Sequence, residues 1–382
     1  MKIAIISDTL YPFVKGGADK RYHEIAKYLV AQGHEVHVFT LRWWGDEKSI
    51  LRDGMRFHGV CDPMPLYVKG RRSIREAIVF AMALPWSLMR HRFDVIECNV
   101  NPFLHCFPIR VISWIYRTKL VFGLWECWGN YWFDYLGARG IMGWLMERLA
   151  IMLPNKIIVE SQSNKDILVS WGVNPKKISR IPSGVHFSMI QDVPKADGKL
   201  DLIVVGRMIR AKGAHTFLNA LPKVIEQNSS LRVGIVGDGP EMENLRQISS
   251  SLGLDSYIEF YGFVPEEKDV IALMKTAKIF VYPAAMEGGW ALTAIEANAS
   301  GLPTIGVEKG DLGITEAVIE GFNGVLIPEE NEDLLAEKIN EVLKDDNARS
   351  NMSANAVDFA RQHDWHDLAN QIENVYEEVY GR

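Results

Sequence analysis

Short apolar runs alternate with longer amphipathic segments along the whole chain. Residues 2–7 (KIAIIS) form a β-like run, and residues 18–32 follow with a helix-like pattern. This alternation continues to the end of the chain and indicates parallel α/β units, so we predict two doubly wound sheets. The predicted strands are residues 2–7, 35–41, 94–99, 119–124 and 156–160 in the first half, and residues 200–205, 232–236, 257–261, 279–282, 303–307 and 324–327 in the second.

A polar, non-periodic stretch at residues 188–199 separates the two series of strands and predicts domains of residues 1–190 and 191–366. A chain of 382 residues, 48% of them apolar, suffices for two full cores. The longest apolar run, around residues 77–89, contains Pro85 and is too short to span a bilayer. The first residues do not resemble a signal peptide. The four cysteines lack metal-ligand spacing, which is typical of reduced thiols in a cytoplasmic protein.

The net charge of −6 conceals a division between the halves. Residues 1–195 hold 26 Lys and Arg against 17 Asp and Glu (+9), and residues 196–382 hold 16 against 31 (−15), which together give −6. The basic half favours an anionic acceptor or an anionic membrane surface. Its basic residues are interleaved with apolar stretches and form no known nucleic-acid module, so we expect no nucleic-acid partner.

Eight of the 11 tryptophans lie between Trp43 and Trp144. Residues 71–75 contain three arginines, Arg71, Arg72 and Arg75, and precede an apolar segment that ends near Trp86. One interpretation is a core helix with a charged rim. The other is a peripheral membrane patch, with aromatic rings at headgroup depth and arginines on anionic lipid, which would suit a lipid-linked acceptor.

Two cations share one strand-to-helix turn in the second half. Residues 206–213 (GRMIRAKG) follow the predicted strand 200–205 and precede a helix-like segment at 214–227, and they contain Arg207 and Lys212. Free backbone N–H groups and the helix dipole favour phosphate at such a turn. The sequence contains no Asp-x-Asp, whereas two cations can offset the charge of a leaving diphosphate. We therefore predict a diphosphate site that requires no metal or other cofactor.

A second turn carries carboxylates at both ends. Glu287 is followed by Gly288 and Gly289, and Glu296 stands nine positions after Glu287. Carboxylates accept hydrogen bonds from vicinal hydroxyl groups, and glycines allow the backbone to approach a ligand closely. Phosphates and hydroxyl groups together indicate a nucleotide sugar as the simplest ligand.

At these residues the chain resembles the retaining glycosyltransferases of family 4, whose GT-B fold has two Rossmann-like domains facing a cleft. The resemblance extends through residues 12–17, 181–185, 237–240, 262–264 and 296–303. It implies transfer of a sugar from a nucleotide diphosphate to an acceptor hydroxyl by front-side attack, in which the leaving diphosphate helps to deprotonate the acceptor. A glycan or lipid-linked acceptor in cell-surface glycan or glycolipid synthesis is the expected partner. The final helix, within residues 367–382, is expected to pack back on the first domain.

The resemblance also implies a role for individual residues. Arg207 and Lys212 would hold the diphosphate, Glu287 would face the sugar, and Glu296 would face the ribose. Family members usually space the two glutamates by eight, so the extra residue here is either absorbed by the turn or alters the role of Glu287. Further donor contacts are expected from Gly16, Gly17, Gly239, Phe263, Val264, Gly288, Gly289, Leu292 and Thr293.

The chain departs from the family after the predicted strand 119–124. Many members have a histidine there, followed by Glu or Asp, and the histidine reaches the reaction centre; this chain has Trp125 and Glu126. An indole donates one N–H and can stack on a sugar, but it does not exchange a proton at neutral pH. We predict Trp125 on the acceptor side, with Glu126 taking part of the catalytic role.

Two alternatives to sugar transfer remain open. A nucleotide-sugar epimerase or a sugar-phosphate-forming enzyme of the same fold would need no glycan or lipid acceptor. A catalytically silent nucleotide-sugar-binding subunit is favoured by Trp125 and the glutamate spacing. A dehydrogenase is disfavoured, because no G-x-G-x-x-G occurs and residues 40–42 end the second strand without an acidic ribose ligand.

Overall fold

The structure is a computed structural model that describes residues 1–14, 16–68, 71–284, 290–308 and 313–381, without the side chains of Tyr67, Val68 and Arg71. The described residues form two compact units. The first unit comprises Met1–Pro182 together with His366–Arg382, and the second comprises Ser183–Trp365. The chain therefore passes from one unit to the other twice.

Over the described residues, the first unit contains an eight-stranded sheet and a separate two-stranded hairpin. Their strands are β1 (Lys2–Ile6), β2 (Glu35–Thr40), β3 (Ser49–Arg52), β4 (Met55–Gly59), the hairpin β5 (Tyr67–Val68) and β6 (Arg71–Arg72), then β7 (Val95–Asn99), β8 (Lys119–Leu124), β9 (Lys156–Val159) and β10 (Ile178–Arg180). The sheet order is β10-β9-β8-β7-β1-β2-β4-β3, and its pairs are parallel except β3 with β4. The central strands are rich in buried Ile and Val, as parallel strands covered on both faces require.

Helices cover both faces of this sheet. They are α1 (Gly17–Ala31), α2 (Ile74–Leu88), α3 (Cys106–Tyr116), α4 (Tyr131–Leu136), α5 (Gly140–Ala150) and α6 (Gln162–Ser170). The hydroxyl of Ser73 begins α2 by accepting a hydrogen bond from the Glu76 N–H at 3.3 Å. One core joins the sheet to α2, α3, α5 and α6, and the core on the opposite face includes α1.

The second unit contains a six-stranded parallel sheet in the described residues, with the order β13-β12-β11-β14-β15-β16. Its strands are β11 (Leu202–Val205), β12 (Val233–Val236), β13 (Ile258–Gly262), β14 (Ile279–Tyr282), β15 (Thr304–Val307) and β16 (Gly324–Ile327). The remaining helices are α7 (Phe187–Asp192), α8 (Ala214–Gln227), α9 (Met242–Ser251), α10 (Glu267–Met274), α11 (Leu292–Ala299), α12 (Ile314–Ala317), α13 (Glu332–Lys344), α14 (Asp346–Arg361) and α15 (Trp365–Tyr380).

Helix α15 belongs to the first unit apart from its first residue. Leu368, Ile372 and Tyr376 are buried in the same core as Ile3 and Tyr22. Because these side chains recur every four residues, one face of α15 covers the sheet. Helix α7, in contrast, belongs to the second unit and buries Ile190 in its core. The predicted domain limit at residue 190 therefore falls inside a helix, and the units divide after Pro182.

Both sheets are doubly wound, as predicted. In the first unit, β2, β4 and β3 lie on one side of β1, and β7 begins the series on its other side. In the second unit, β12 and β13 lie on one side of β11, and β14 begins the series on its other side. Ligands of open α/β sheets bind beyond the carboxyl ends of the strands at this switch point. In chain order, Arg207 and Lys212 follow β11 and Glu296 follows β14, whereas the remaining predicted donor residues follow β1, β12, β13 and β14.

Candidate active site

The turn after β11 places Arg207 and Lys212 directly before α8. It contains a short 3-10 segment, Arg210–Lys212, and ends at Gly213. Arg207 is exposed and Lys212 is half-buried. Gly213 has a φ of +67°, and a Cβ at this position would lie 2.1 Å from the carbonyl oxygen of Pro283, so only glycine fits. Two cations thus stand beside the amino terminus of a 14-residue helix, where the helix dipole favours an anion.

Lys212 reaches across the switch point to the end of β14. Its Nζ lies 3.5 Å from the Tyr282 hydroxyl oxygen and 5.2 Å from the centre of the Tyr282 ring. Lys212, Arg207, Tyr282 and Ala284 line the same small pocket. The structure therefore brings together the two predicted diphosphate ligands at the edge of the second sheet where a ligand is expected.

Backbone hydrogen bonds join the loops that follow β11, β12 and β13. The Met208 N–H donates to the Asp238 carbonyl at 3.0 Å, and the Gly237 N–H donates to the Gly262 carbonyl at 2.8 Å. A Cβ at Gly239 would lie 2.4 Å from the Met208 carbonyl oxygen. Gly239, predicted as a donor-binding residue, thus permits the close approach of two loops at the switch point.

Helix α11 places three predicted donor residues within its first two turns. Leu292 and Thr293 open the helix, and Glu296 follows one turn later with a half-buried side chain. The Leu292 N–H donates to the Trp290 carbonyl at 2.9 Å. Glu287, Gly288 and Gly289 lie outside the described residues, so their roles stay predictions.

The predicted base-supporting pair follows β13. Phe263 is 60% exposed, whereas Val264 is half-buried and packs against the core of the second unit. An exposed aromatic ring at this edge offers a flat apolar surface to a nucleobase.

In the first unit, Gly16 and Gly17 stand at the amino terminus of α1. Gly16 precedes the helix in an extended conformation, and Gly17 is its first residue. A Cβ at Gly17 would meet no atom within 4 Å, whereas one at Gly16 would lie 2.6 Å from Asp19 Oδ2. Both glycines thus lie on the β1-to-α1 connection, at the switch point of the first sheet.

Trp125 lies in the core of the first unit and is only 7% exposed. The Arg21 guanidinium carbon is 4.7 Å from the centre of its ring system, and the ring of Tyr22 meets it edge-on at 5.5 Å. The indole therefore presents little surface on which a sugar could stack. Stacking of a sugar on Trp125 would need an open face of the indole. The buried side chains of Arg21 and Tyr22 instead occupy one side of it.

Arg21 is the centre of a buried charged network that sequence reasoning missed. Its Nη2 donates to the Ile181 carbonyl at 2.9 Å, and its Nη1 lies 3.5 Å from Glu160 Oε1. Burial raises the pKa of the fully buried Glu97 to about 7, although the positive charge of Arg21 acts in the opposite direction. The available signal was a glutamate in the middle of β7, Glu97, and another directly after β9, Glu160.

Glu126 is exposed, unlike its neighbour Trp125. Its Oε2 accepts a hydrogen bond from Trp128 Nε1 at 3.2 Å. The following loop is held by Glu147, a fully buried carboxylate that accepts hydrogen bonds from the Trp128 N–H, the Gly129 N–H and Trp132 Nε1 at 2.7, 2.9 and 3.0 Å. A fixed loop thus presents the Glu126 carboxylate to solvent.

The contacts of Arg72 do not fit the interpretation that places it in a membrane patch. Its guanidinium contacts the carboxylate of Asp8 and lies 3.3 Å from Glu76 Oε2, and both of these carboxylates are buried. Arg72 therefore balances internal negative charge. Arg75 and Trp86 are exposed, and the side chain of Arg71 lies outside the described part of the chain.

Comparison with known proteins identifies the family. The model of Glycosyltransferase Family 4 matches residues 15–188, and that of Glycosyl transferases group 1 matches residues 187–359. The chain belongs to glycosyltransferase family 4. Over 409 aligned positions it is 25% identical to an uncharacterized glycosyltransferase of Methanocaldococcus jannaschii, and the alignment covers 100% of both chains. This protein is therefore a glycosyltransferase, as predicted.

Solved structures establish the GT-B fold of this glycosyltransferase. Sucrose-phosphate synthase from Thermosynechococcus elongatus aligns with a TM-score of 0.82 and 20% identity, covering 100% of this chain and 99% of the synthase. Anabaena HepE, solved in complex with UDP-glucose, aligns with a TM-score of 0.76 and 18% identity, covering 99% and 100%. Among the described helices of the glycosyltransferase, none has the length and apolarity needed to cross a bilayer.

Proposed function

We propose that this glycosyltransferase is retaining and metal-independent, and that it transfers a hexose from a nucleoside diphosphate to a hydroxyl group of a glycan or lipid-linked acceptor. The proposal rests mainly on Arg207 and Lys212, which lie beside the start of α8 at the switch point of the second sheet. Two cations at that position suit a group with two adjacent negative phosphates.

The same two side chains support the proposed metal independence. The bond from the sugar to the diphosphate breaks during transfer, and negative charge develops on the leaving oxygen. Arg207 and Lys212 can stabilise this charge in place of a divalent ion. The absence of Asp-x-Asp from the sequence supports this assignment.

The remaining donor contacts follow from the loops around the diphosphate turn. Glu296 is proposed to accept hydrogen bonds from the ribose, and the exposed Phe263 to support the base. Glu287, Gly288 and Gly289 are proposed to face the sugar. The structural similarity to HepE, which was solved with UDP-glucose, supports a nucleotide sugar as the donor.

The proposed transfer takes place on one face of the sugar. The acceptor oxygen forms a bond to C1 as the bond from C1 to the diphosphate oxygen breaks, and the acceptor proton passes to the departing diphosphate. Because both bonds lie on the same face, the anomeric configuration is retained. In the first unit, Glu126 is proposed to orient the acceptor hydroxyl, and Trp125 to support the acceptor-side loop from within the core.

A lipid-linked acceptor is supported by an apolar outer face on the first unit. Helices α2, α3 and α5 pack on the same side of the first sheet. Their solvent-facing sides carry large apolar residues, each at least 43% exposed: Ile74, Ile78, Met82 and Trp86 on α2, Val111, Trp114 and Ile115 on α3, and Ile141, Met142, Leu145 and Leu149 on α5. On α2 these residues recur every four positions and so form one stripe. An exposed apolar stripe of this kind is typical of an interaction site.

Arginines accompany this outer face. Arg75 and Arg90 are exposed on or beside α2, and the guanidinium carbon of Arg110 lies 4.9 Å from the ring of Trp114. Apolar and aromatic side chains flanked by arginine suit an anionic membrane surface, with rings at headgroup depth and guanidinium groups on phosphates. We therefore propose that the first unit docks on anionic lipid at the inner face of the membrane.

The activity is tested by nucleoside diphosphate release. The protein is first screened for thermal stabilisation by UDP, GDP, ADP and their sugars, and the best donor is then incubated in EDTA with extracts containing glycan or lipid-linked acceptors. We expect release to be accelerated by an acceptor and accompanied by a glycosylated product. Tight donor binding without transfer or hydrolysis, across a broad acceptor panel, would contradict the proposed transfer.

Membrane docking is tested by vesicle flotation. Wild-type protein should float with vesicles containing anionic lipid and not with neutral vesicles, and added salt should weaken binding, since each basic contact is worth about 1 kcal/mol. Met82→Asp should reduce binding, whereas Ile319→Asp, at an exposed apolar position of the second unit, should not. Equal binding to neutral vesicles, or equal loss in both variants, would exclude this docking surface.

A further inference from the structure

A cavity in the first unit is lined by none of the predicted donor residues. It has a volume of about 750 Å³ and lies between strands β2 and β4 and the carboxyl-terminal end of α2. Its wall includes three histidines, His37, His58 and His91, from three separate segments. None of these histidines is assigned to the sugar-transfer chemistry.

The strand register explains why two histidines meet. His37 lies on β2 and His58 on the parallel strand β4, where His37 pairs with Arg56 and Phe39 pairs with His58. Side chains at alternate positions of a strand point to the same face, so Glu35 and His37 share a face with Arg56 and His58. His91 reaches this face from the turn that follows α2.

The ligand atoms of the three imidazoles all lie within 4.8 Å of one another. His37 Nδ1 is 2.8 Å from His58 Nε2. His37 and His58 are buried, whereas His91 is half-buried. Bonds of about 2.1 Å to a tetrahedral ion would place the nitrogens about 3.4 Å apart, so small side-chain movements suffice to enclose an ion.

Glu35 contacts the ring nitrogen of His37 that does not face His58. Its Oε1 lies 2.8 Å from His37 Nε2 and 2.8 Å from Lys2 Nζ. A proton on His37 Nε2 would be held by this carboxylate, which leaves Nδ1 with a lone pair directed towards His58. A carboxylate that fixes the outer nitrogen of a histidine ligand is a recurrent feature of metal sites.

We propose that His37, His58 and His91 bind one divalent transition-metal ion of the zinc type. Three neutral imidazoles suit zinc, copper or nickel, and they do not suit magnesium or calcium, which prefer oxygen ligands. The fourth coordination position faces the cavity and is open to water or an anion, as in zinc sites with three protein ligands.

The surrounding charges bear on the fourth ligand. Lys2, Arg56 and Arg90 also line the cavity, and Lys2 is paired with Glu35. Their positive charge opposes a bare divalent ion and favours an anion beside it. The site is therefore expected to hold the metal more tightly when inorganic phosphate is present.

The proposal is tested by metal retention. Protein stripped with a chelator is dialysed against low-micromolar Zn²⁺ and analysed for bound metal. We expect one ion per chain and a higher melting temperature. His91→Ala should abolish retention, as should His58→Ala; His366→Ala, which removes an exposed histidine outside the cavity, should not. Circular dichroism checks that each variant is folded. Because His91 is half-buried, its substitution should disturb the fold less than substitution of the buried His58.

Two further readouts distinguish a built site from adventitious binding. Co²⁺ should give the intense visible absorption of a tetrahedral ion, and this absorption should be absent in His91→Ala. Glu35→Gln should weaken zinc binding about 10- to 100-fold, because it removes the carboxylate behind His37. Absence of stoichiometric zinc, or equal zinc retention in His91→Ala, would overturn the proposal. So would a zinc affinity that inorganic phosphate does not raise.

Discussion

The most informative perturbation of the donor site is Lys212→Ala. Lys212 is half-buried and lies over Tyr282, so its ammonium group is partly shielded from water. Arg207, on the same turn, is exposed. If both contact the diphosphate, loss of either should weaken a nucleoside diphosphate and leave the nucleoside unaffected.

The burial of the two side chains sets the expected magnitudes. A charge-assisted hydrogen bond contributes about 1.5 to 3 kcal/mol, which corresponds to roughly 10- to 150-fold in affinity. Lys212→Ala should fall within this range. Arg207→Ala should lie near its lower end, about tenfold, because water and salt screen an exposed charge.

Isothermal titration provides the assay. The nucleoside diphosphate that stabilises the protein most is titrated into each variant, followed by the matching nucleoside. Lys268→Ala serves as a control, because it removes one exposed positive charge elsewhere in the second unit. Equal losses for the diphosphate and the nucleoside, or an equal effect of Lys268→Ala, would refute a specific diphosphate contact.

Three further outcomes follow from the first unit. Trp125→Phe should keep most activity per folded molecule, with no limb near pH 6.5 in the rate profile, because a buried ring packed on Arg21 handles no proton; a large loss of turnover would contradict this. Glu126→Gln should lower turnover about 100-fold with donor affinity nearly intact, as measured by steady-state kinetics and titration; unchanged turnover would exclude the role. Glu97 has its pKa raised by burial from 4.5 to about 7, so the folded protein holds a proton that the unfolded chain releases. The resulting stability is fully present below about pH 4.5 and is lost as the pH rises through 7, by roughly 3 kcal/mol. Glu97→Gln should flatten this fall in urea unfolding between pH 5 and 8, and an unchanged slope would contradict it.

The alternation of apolar and amphipathic segments was sufficient to predict both doubly wound sheets. Buried parallel strands such as β1 and β11 are nearly continuous apolar runs, and they are therefore visible in sequence. Edge strand β3 was missed because exposed polar residues such as Ser49 and Arg52 carry no comparable signal. The domain limit was misplaced because α7 is short and its buried side chains include Ile190, which the polar composition of residues 188–199 conceals.

The proximity of candidate residues was predictable where one turn contains the whole motif. Arg207 and Lys212 belong to a single segment, and the structure keeps them together. The burial of Trp125 depends on Arg21, which is distant in sequence, and the ion pair of Arg72 depends on Asp8. Contacts between distant segments follow from strand order and helix packing, which spacing in one sequence does not specify.

Retaining transfer without a metal can be tested without knowledge of the acceptor, by donor hydrolysis followed by proton NMR. An α-linked nucleotide sugar selected by thermal shift is incubated with the protein in EDTA, and the free sugar is observed before its anomers equilibrate. We predict that the α-anomer is released first, at a rate unchanged by EDTA and lowered by Lys212→Ala. Initial release of the β-anomer would contradict retention, and loss of release in EDTA with recovery on adding Mg²⁺ or Mn²⁺ would contradict metal independence.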